Sequence, residues 1–133
     1  MSKVLKEELE QTSTTLLSPI DREIFDQVKS AIRAADDKKA QNILVLRLSA
    51  ITEFTDYFVI CTGNSSRQTQ AIADEVVERL KVSGVRPLNT EGYKNAEWIL
   101  IDFGAFVVHI FTEESRRFYD LERLWRDAER VEV

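Results

Sequence analysis

Few side chains in this chain are equipped for chemistry: one histidine, His109, one cysteine, Cys61, and the hydroxyl pair Ser65-Ser66 beside Gly63. A Ser/His/Asp hydrolase would need His109 with Ser65 or Ser66 and Asp102. No Gly-x-Ser-x-Gly elbow is present, and the serines fall at a different strand end from His109, so a chance assortment explains the set better. Cys61 closes an apolar strand and fits a small buried filler better than a nucleophile. Being single, it excludes an internal disulfide and a Cys-pair zinc site. Two-metal chemistry lacks an Asp-x-Asp pair on a strand. Asp120 and Glu122 have that spacing but fall on a predicted helix, where i and i+2 point apart. Strand, Gly63 turn, helix is a common place for a phosphate. Here there is one glycine, with neither Gly-x-Gly-x-x-Gly nor Gly-Lys-Ser/Thr, and Ser65 with Gln68 fits a capping box. No catalytic, cofactor or metal site is expected, and no enzymatic activity.

What remains unusual is the stretch from Glu97 to Phe111. Two apolar runs are broken by Gly104-Ala105, which suits a hairpin with a glycine-first type II′ turn. The pairing follows by subtraction, from Phe103 opposite Phe106 out to Trp98 opposite Phe111. Side chains alternate across a strand, so one face carries Ile99, Ile101, Phe103, Phe106, Val108 and Ile110 and must be core. The other carries Trp98, Leu100, Asp102, Val107, His109 and Phe111. Large aromatics beside a carboxylate and a lone histidine suit a contact surface, because Trp and Tyr are enriched at interface hot spots. Glu91, Tyr93 and Glu97 flank it in sequence, and such acidic groups prefer a basic partner surface. The blander alternative is that a helix, the C-terminal one for instance, covers this face.

The elements that must position the hairpin can be placed in order. Residues 1–17 are expected to form a flexible extension. They resemble neither a secretory signal nor an organellar presequence. Ser18-Pro19 opens a helix, with Ser18 as N-cap and Ile20, Ile24, Phe25, Val28, Ala31, Ile32 and Ala35 on one stripe. Asn42–Leu48 and Asp56–Cys61 are apolar runs that suit buried strands, and their short connection favours antiparallel neighbours. A second helix carries Ile72, Ala73, Val76, Val77 and Leu80 and stops at Ser83-Gly84. Val85–Leu88 is expected as a short third strand, parallel to the second through a right-handed crossover, with Pro87 keeping it near an edge. A polar loop over Asn89–Ala96 leads into the hairpin. A last helix from about Glu113 carries Phe118, Leu121, Leu124 and Trp125, and residues 129–133 are expected as a charged, fraying tail. The sum is a single α/β domain over residues 18–128, with a mixed sheet of about five strands and flanking helices.

The totals narrow the partners. The chain has 133 residues, 18 basic against 23 acidic, and a net charge of −5. Broad electrostatic capture of nucleic acid calls for the opposite sign, and nothing is long enough and apolar enough to span a bilayer. The single thiol fits a reducing, cytoplasmic compartment.

The motifs resemble those of the ribosomal silencing factor family, also called Iojap-like. The residues that carry the likeness are Asp56-Tyr57-Phe58-Val59-Ile60-Cys61-Thr62-Gly63-Asn64-Ser65-Ser66-Arg67-Gln68, Glu91-Gly92, the run from Ala96 to Gly104, Val107 to Phe111, and Glu113 to Trp125. Ala105 departs from the family, which usually has an acidic residue in that turn. The resemblance implies binding to the large ribosomal subunit through large-subunit ribosomal protein fourteen, and a steric block to joining of the small subunit that represses translation when nutrients are limiting. It implies docking through Trp98 and Phe111, with Glu91, Tyr93, Glu97, Asp102 and His109 around them. It also implies self-association through the same face, so that a homodimer would compete with docking, and rRNA contact at most peripheral. The family fold is nucleotidyltransferase-like. An enzyme of that kind, using the Gly63–Ser66 turn for a phosphate and Asp102 as a metal ligand, stays open as the alternative.

Overall fold

The computed structural model describes residues 18–132; the extension expected over residues 1–17 lies outside them. Helix α1, Pro19–Asp37, starts where the cap signals place it: the Ser18 hydroxyl accepts the Asp21 N–H at 3.1 Å. Strands β1, Gln41–Arg47, and β2, Tyr57–Gly63, follow and pair antiparallel. Helix α2, Ser66–Val82, is capped by Ser65. Strands β3, Asn89–Glu91, β4, Trp98–Asp102, and β5, Phe106–Thr112, come next. Helix α3, Glu113–Tyr119, a single turn α4, Leu121–Leu124, and strand β6, Glu129–Val131, complete the chain.

The six strands form one mixed sheet in the order β3-β4-β5-β2-β1-β6. Only β2 and β5 pair in parallel; the other pairs are antiparallel. The hairpin register is the expected one, Trp98 opposite Phe111 through Asp102 opposite Val107. Gly104 turns it with φ +86°. Helices α1 and α2 cover one face. Val28, Ala31, Ala34 and Ala35 of α1 and Ile72, Ala73, Val76 and Leu80 of α2 pack on Val59, Cys61, Ile99, Ile101, Phe106, Val108 and Ile110. All six residues assigned to the core face of the hairpin are buried. Each such side chain contributes roughly 1.5–3 kcal/mol on leaving water.

Four expectations change. The third strand is Asn89–Glu91, not Val85–Leu88, so the polar loop is shorter than expected. Pro87 has no N–H for a ladder, and pairing begins only where the Leu88 N–H reaches the Asp102 carbonyl at 2.8 Å. This strand points along β2, but β4 and β5 lie between them. The residues expected as a fraying tail include β6, which pairs with β1 from Val45–Val131 to Arg47–Glu129. Its charges are what an edge strand tolerates, and they hid it in the sequence; they also make the sheet six-stranded. The last helix is two pieces, broken at Asp120, which is left-handed with φ 45° and ψ 57°, a conformation Asp adopts more readily than most residues. The turn sends Leu121 into the second face and leaves Phe118 79% exposed. Finally, Ile20 is exposed rather than part of the α1 stripe.

Candidate functional site

The second face of the sheet carries a smaller cluster, in which Leu46, Leu48, Ile60, Phe111 and Leu121 are buried and Phe58, Trp98 and Trp125 are partly so. Trp98 is the centre of its open half. Its ring stacks on Phe111, with centroids 5.0 Å apart and planes at 26°, and tilts against Tyr119 at 4.5 Å. Such pairs add about 0.5–1.5 kcal/mol beyond area burial. The indole N–H donates to Nδ1 of His109 at 3.1 Å. Because an indole nitrogen only donates, Nδ1 must be the bare acceptor, and the imidazole carries its proton on Nε2. Burial agrees: His109 is 3% exposed, and desolvation of the charged form pushes its pKa down to about 3. The imidazole meets Phe58 edge-on at 4.5 Å. His109 is therefore a neutral buried acceptor that fixes the tryptophan.

The seven residues singled out for contact divide into groups. Trp98, His109 and Phe111 come together, but Phe111 is 1% exposed and, like His109, lies behind Trp98. Glu91 pairs with Leu100, which pairs with His109, so the register puts it on the same face, and its side chain is exposed. Asp102 shares that face at the turn end, half-buried, with one oxygen accepting the Gly104 N–H at 2.7 Å. Glu97 is exposed, and its carbonyl accepts the Thr112 N–H at 2.9 Å. Tyr93 goes elsewhere. Its hydroxyl bonds Asp74 of α2 at 3.1 Å, and its carbonyl accepts the Gln70 amide at 2.8 Å. The connection beneath it is tight: Gly92 has φ +78°, and a Cβ there would sit 2.0 Å from the Trp98 carbonyl oxygen.

Sequence reasoning missed Tyr119, which lies over Trp98 and is 48% exposed. It is the last residue of α3, immediately before the break at Asp120. The covering helix considered as the blander alternative is thus present in part: α3 and α4 cover the Phe111 and Phe58 side and leave Trp98 half-buried. Beside it opens a cleft of about 320 Å³ whose walls include Phe54, Phe58, Leu100 and Trp125, with Asp102 and His109 in its lining.

The other candidate groups serve the fold. Burial pushes the Cys61 thiol up to about 12. Ser65 accepts the Gln68 N–H at 3.1 Å, while the Gln68 carboxamide accepts the Asn64 N–H and donates to the carbonyls of Lys38 and Lys39 at 3.1 Å. The Gly63 turn is filled by its own helix, since a Cβ on Gly63 would lie 2.9 Å from Thr69 Cγ2. Arg116 pairs with Glu122 at 3.1 Å and donates to the Asn42 carbonyl at 2.6 Å and to the Thr62 hydroxyl at 2.8 Å. It fastens α3 to the sheet, whereas Arg117 is exposed. Among the described residues no group of three or more His, Cys, Asp or Glu could hold a metal ion, and no helix is long and apolar enough to cross a membrane.

Fold and site together define a mixed-sheet α/β domain that presents one aromatic sheet face, with its tryptophan held from within. Residues 21–133 match the family model described as ribosomal silencing factor during starvation, and the chain belongs to that family. A relative named ribosomal silencing factor RsfS from Halalkalibacterium halodurans is 45% identical over 103 residues, spanning 77% of this chain and 88% of the relative. The chloroplastic Iojap protein of Zea mays is 34% identical over 115 residues, 85% of this chain and 49% of that protein. A crystal structure of a Chromobacterium violaceum protein superposes with a TM-score of 0.76 at 38% identity, covering 77% of this chain and 86% of that one. The family resemblance carried by the sequence motifs therefore holds.

Proposed function

We propose that this protein silences the large ribosomal subunit by docking on it through the Trp98 face. The contact is to large-subunit ribosomal protein fourteen, and the bound domain stands where the small subunit must join. Translation is repressed in this way when nutrients are limiting, without a chemical step. Membership of a family named for ribosomal silencing supports the class of activity. The observation that carries the choice of face is Trp98 itself, half-buried, stacked on Phe111 and hydrogen-bonded to His109. A large aromatic held rigid before binding loses little conformational freedom on docking. Trp98 and Asp102 make contact, Glu91 and Glu97 form an acidic rim, and Phe111 and His109 act from behind by fixing the indole. Tyr93 stands on the α2 side of β3 and belongs to the rim at most. A homodimer through the same face would compete with docking.

Cosedimentation with isolated large subunits, with and without small subunits, tests partner and mechanism together. Trp98→Ala should weaken docking by about 2 kcal/mol, roughly thirtyfold, and restore subunit joining. Unchanged affinity in a folded Trp98→Ala variant would remove the face from the reading. Family naming does not favour an enzymatic reading, and the N–H groups of Asn64 and Gln68 after Gly63 are already taken by the side chains of Gln68 and Ser65.

A further inference from the structure

We propose that the cleft beside Trp98 receives one basic side chain, lysine or arginine, from the docked ribosomal partner, with Asp102 as its counter-ion. This rests on the docking reading above. Its first support is chemical composition. Of the residues lining the cleft only Asp102 and His109 are ionisable, and His109 is neutral and buried. One Asp102 oxygen accepts the Gly104 N–H. Among the described residues no cation pairs with the carboxylate. A half-buried carboxylate at the end of an apolar cleft, with no cation beside it, offers a charged head the one acceptor of opposite sign in that lining.

The walls specify the shape of what completes it. Phe54, 89% exposed, stands at the cleft with Phe58 and Trp125, and Phe58 and Trp125 meet edge to face at 5.6 Å. Lysine and arginine have long apolar stems that cover such surface while the charged head reaches outward. Their heads are also attracted to aromatic faces and make charge-assisted hydrogen bonds to a carboxylate. An acidic side chain would meet Asp102 as a like charge, and an aliphatic one would desolvate it without compensation. Two buried polar atoms lack partners here, the Thr55 hydroxyl and His109 Nε2. The Nε2–H is a donor and repels a cation, so the head lies toward Asp102. The exposed Glu91 on the same sheet face and the net charge of −5 bias the surface toward a basic partner.

The test compares binding of the full chain to isolated large subunits between 50 and 300 mM salt, both concentrations chosen to vary screening by about twofold in length. Asp102→Asn keeps an oxygen for the Gly104 N–H and removes only the charge. It should weaken binding about tenfold at low salt and flatten the salt dependence. Phe54→Ala, at an exposed position that folding does not need, should weaken binding a few-fold with the salt dependence unchanged. Wild-type affinity in Asp102→Asn alongside lost binding in Trp98→Ala overturns the cleft assignment and leaves the docking reading in place. An Asp102→Asn variant that binds weakly with an unaltered salt dependence also overturns it, because the missing interaction is then not ionic. Wild-type binding in Trp98→Ala, Asp102→Asn and Phe54→Ala together removes the docking face and the cleft with it.

Discussion

The two faces of this sheet are built from the same strands and do opposite things. On the helix side, Ile99, Ile101, Val108 and Ile110 alternate along the hairpin and vanish under α1 and α2. On the other side, the residues between them include an indole, an imidazole and a carboxylate, and the cover given by α3 and α4 stops at Tyr119. The first face obeys only the rule that apolar area leaves water, so any well-packed apolar set would serve it. The second breaks that rule selectively. It buries His109 without charge, holds Trp98 by a hydrogen bond and leaves Asp102 without a cation. Departures of that kind tend to gather where a protein does its work.

The sharpest way to break the comparison is to damage each face alone. Phe106 is fully buried against Phe103, rings 4.8 Å apart, beneath the helices. Phe106→Ala should lower unfolding free energy by about 3–5 kcal/mol in urea titrations, with ribosome binding lost only in proportion to the unfolded fraction. A loss of affinity in the fraction that stays folded would mean that the helix-side core also shapes docking.

The second face should reveal itself through pH. His109 titrates near 3 when folded, whereas an unfolded imidazole titrates near 6.5. Between those values the unfolded chain binds the extra proton, so stability rises with pH across that window and is flat above it. At pH 5 the cost is about 2 kcal/mol, from roughly 1.5 pH units at 1.36 kcal/mol each. Urea unfolding of wild type at pH 7.5 and pH 5.0 should show this drop, and His109→Gln should show a smaller one. Equal drops in the two proteins would mean that other groups carry the pH dependence and that His109 is not held neutral by burial.

These contrasts also show how much could be read from the chain. The hairpin register came from one glycine and an alternation, because the side-chain period of two leaves a single consistent pairing. The caps of α1 and α2 were equally legible, since Ser18 and Ser65 bond groups three residues away. The misplacements involve long-range competition. Val85–Leu88 has good strand composition, yet β4 takes up the chain only from Leu88 onward. Glu129–Val131 looks like solvent-facing tail until β1 offers it an edge. Of the residues proposed for contact, Trp98 and Asp102 lie on the open face where the alternation puts them. Tyr93 was pulled to α2 by Asp74 and Gln70, partners that lie far away in sequence. Phe111 and His109 were placed on the correct face, but their burial depends on Tyr119 and Phe58, which no local rule connects to them.

The smallest expected effect separates two adjacent aromatics at the end of α3. An unbroken last helix would put Phe118 on the apolar stripe with Leu121, Leu124 and Trp125. With Asp120 left-handed, Leu121 and Trp125 reach the sheet face without Phe118, which touches Tyr119 edge-on at 5.0 Å while Tyr119 covers Trp98. Adjacent aromatics therefore have unequal duties. Phe118→Ala should change unfolding free energy by no more than about 0.5 kcal/mol, as for a surface position. Tyr119→Ala uncovers Trp98 and Phe111 and should cost about 1–2 kcal/mol, between the pair energy of aromatic contacts and the cost of a full core truncation. Equal costs in the two variants would mean that Tyr119 packs no more than Phe118 does and that the aromatic face is framed differently. A larger cost for Tyr119 alone would place the boundary between fold and contact surface at that single residue.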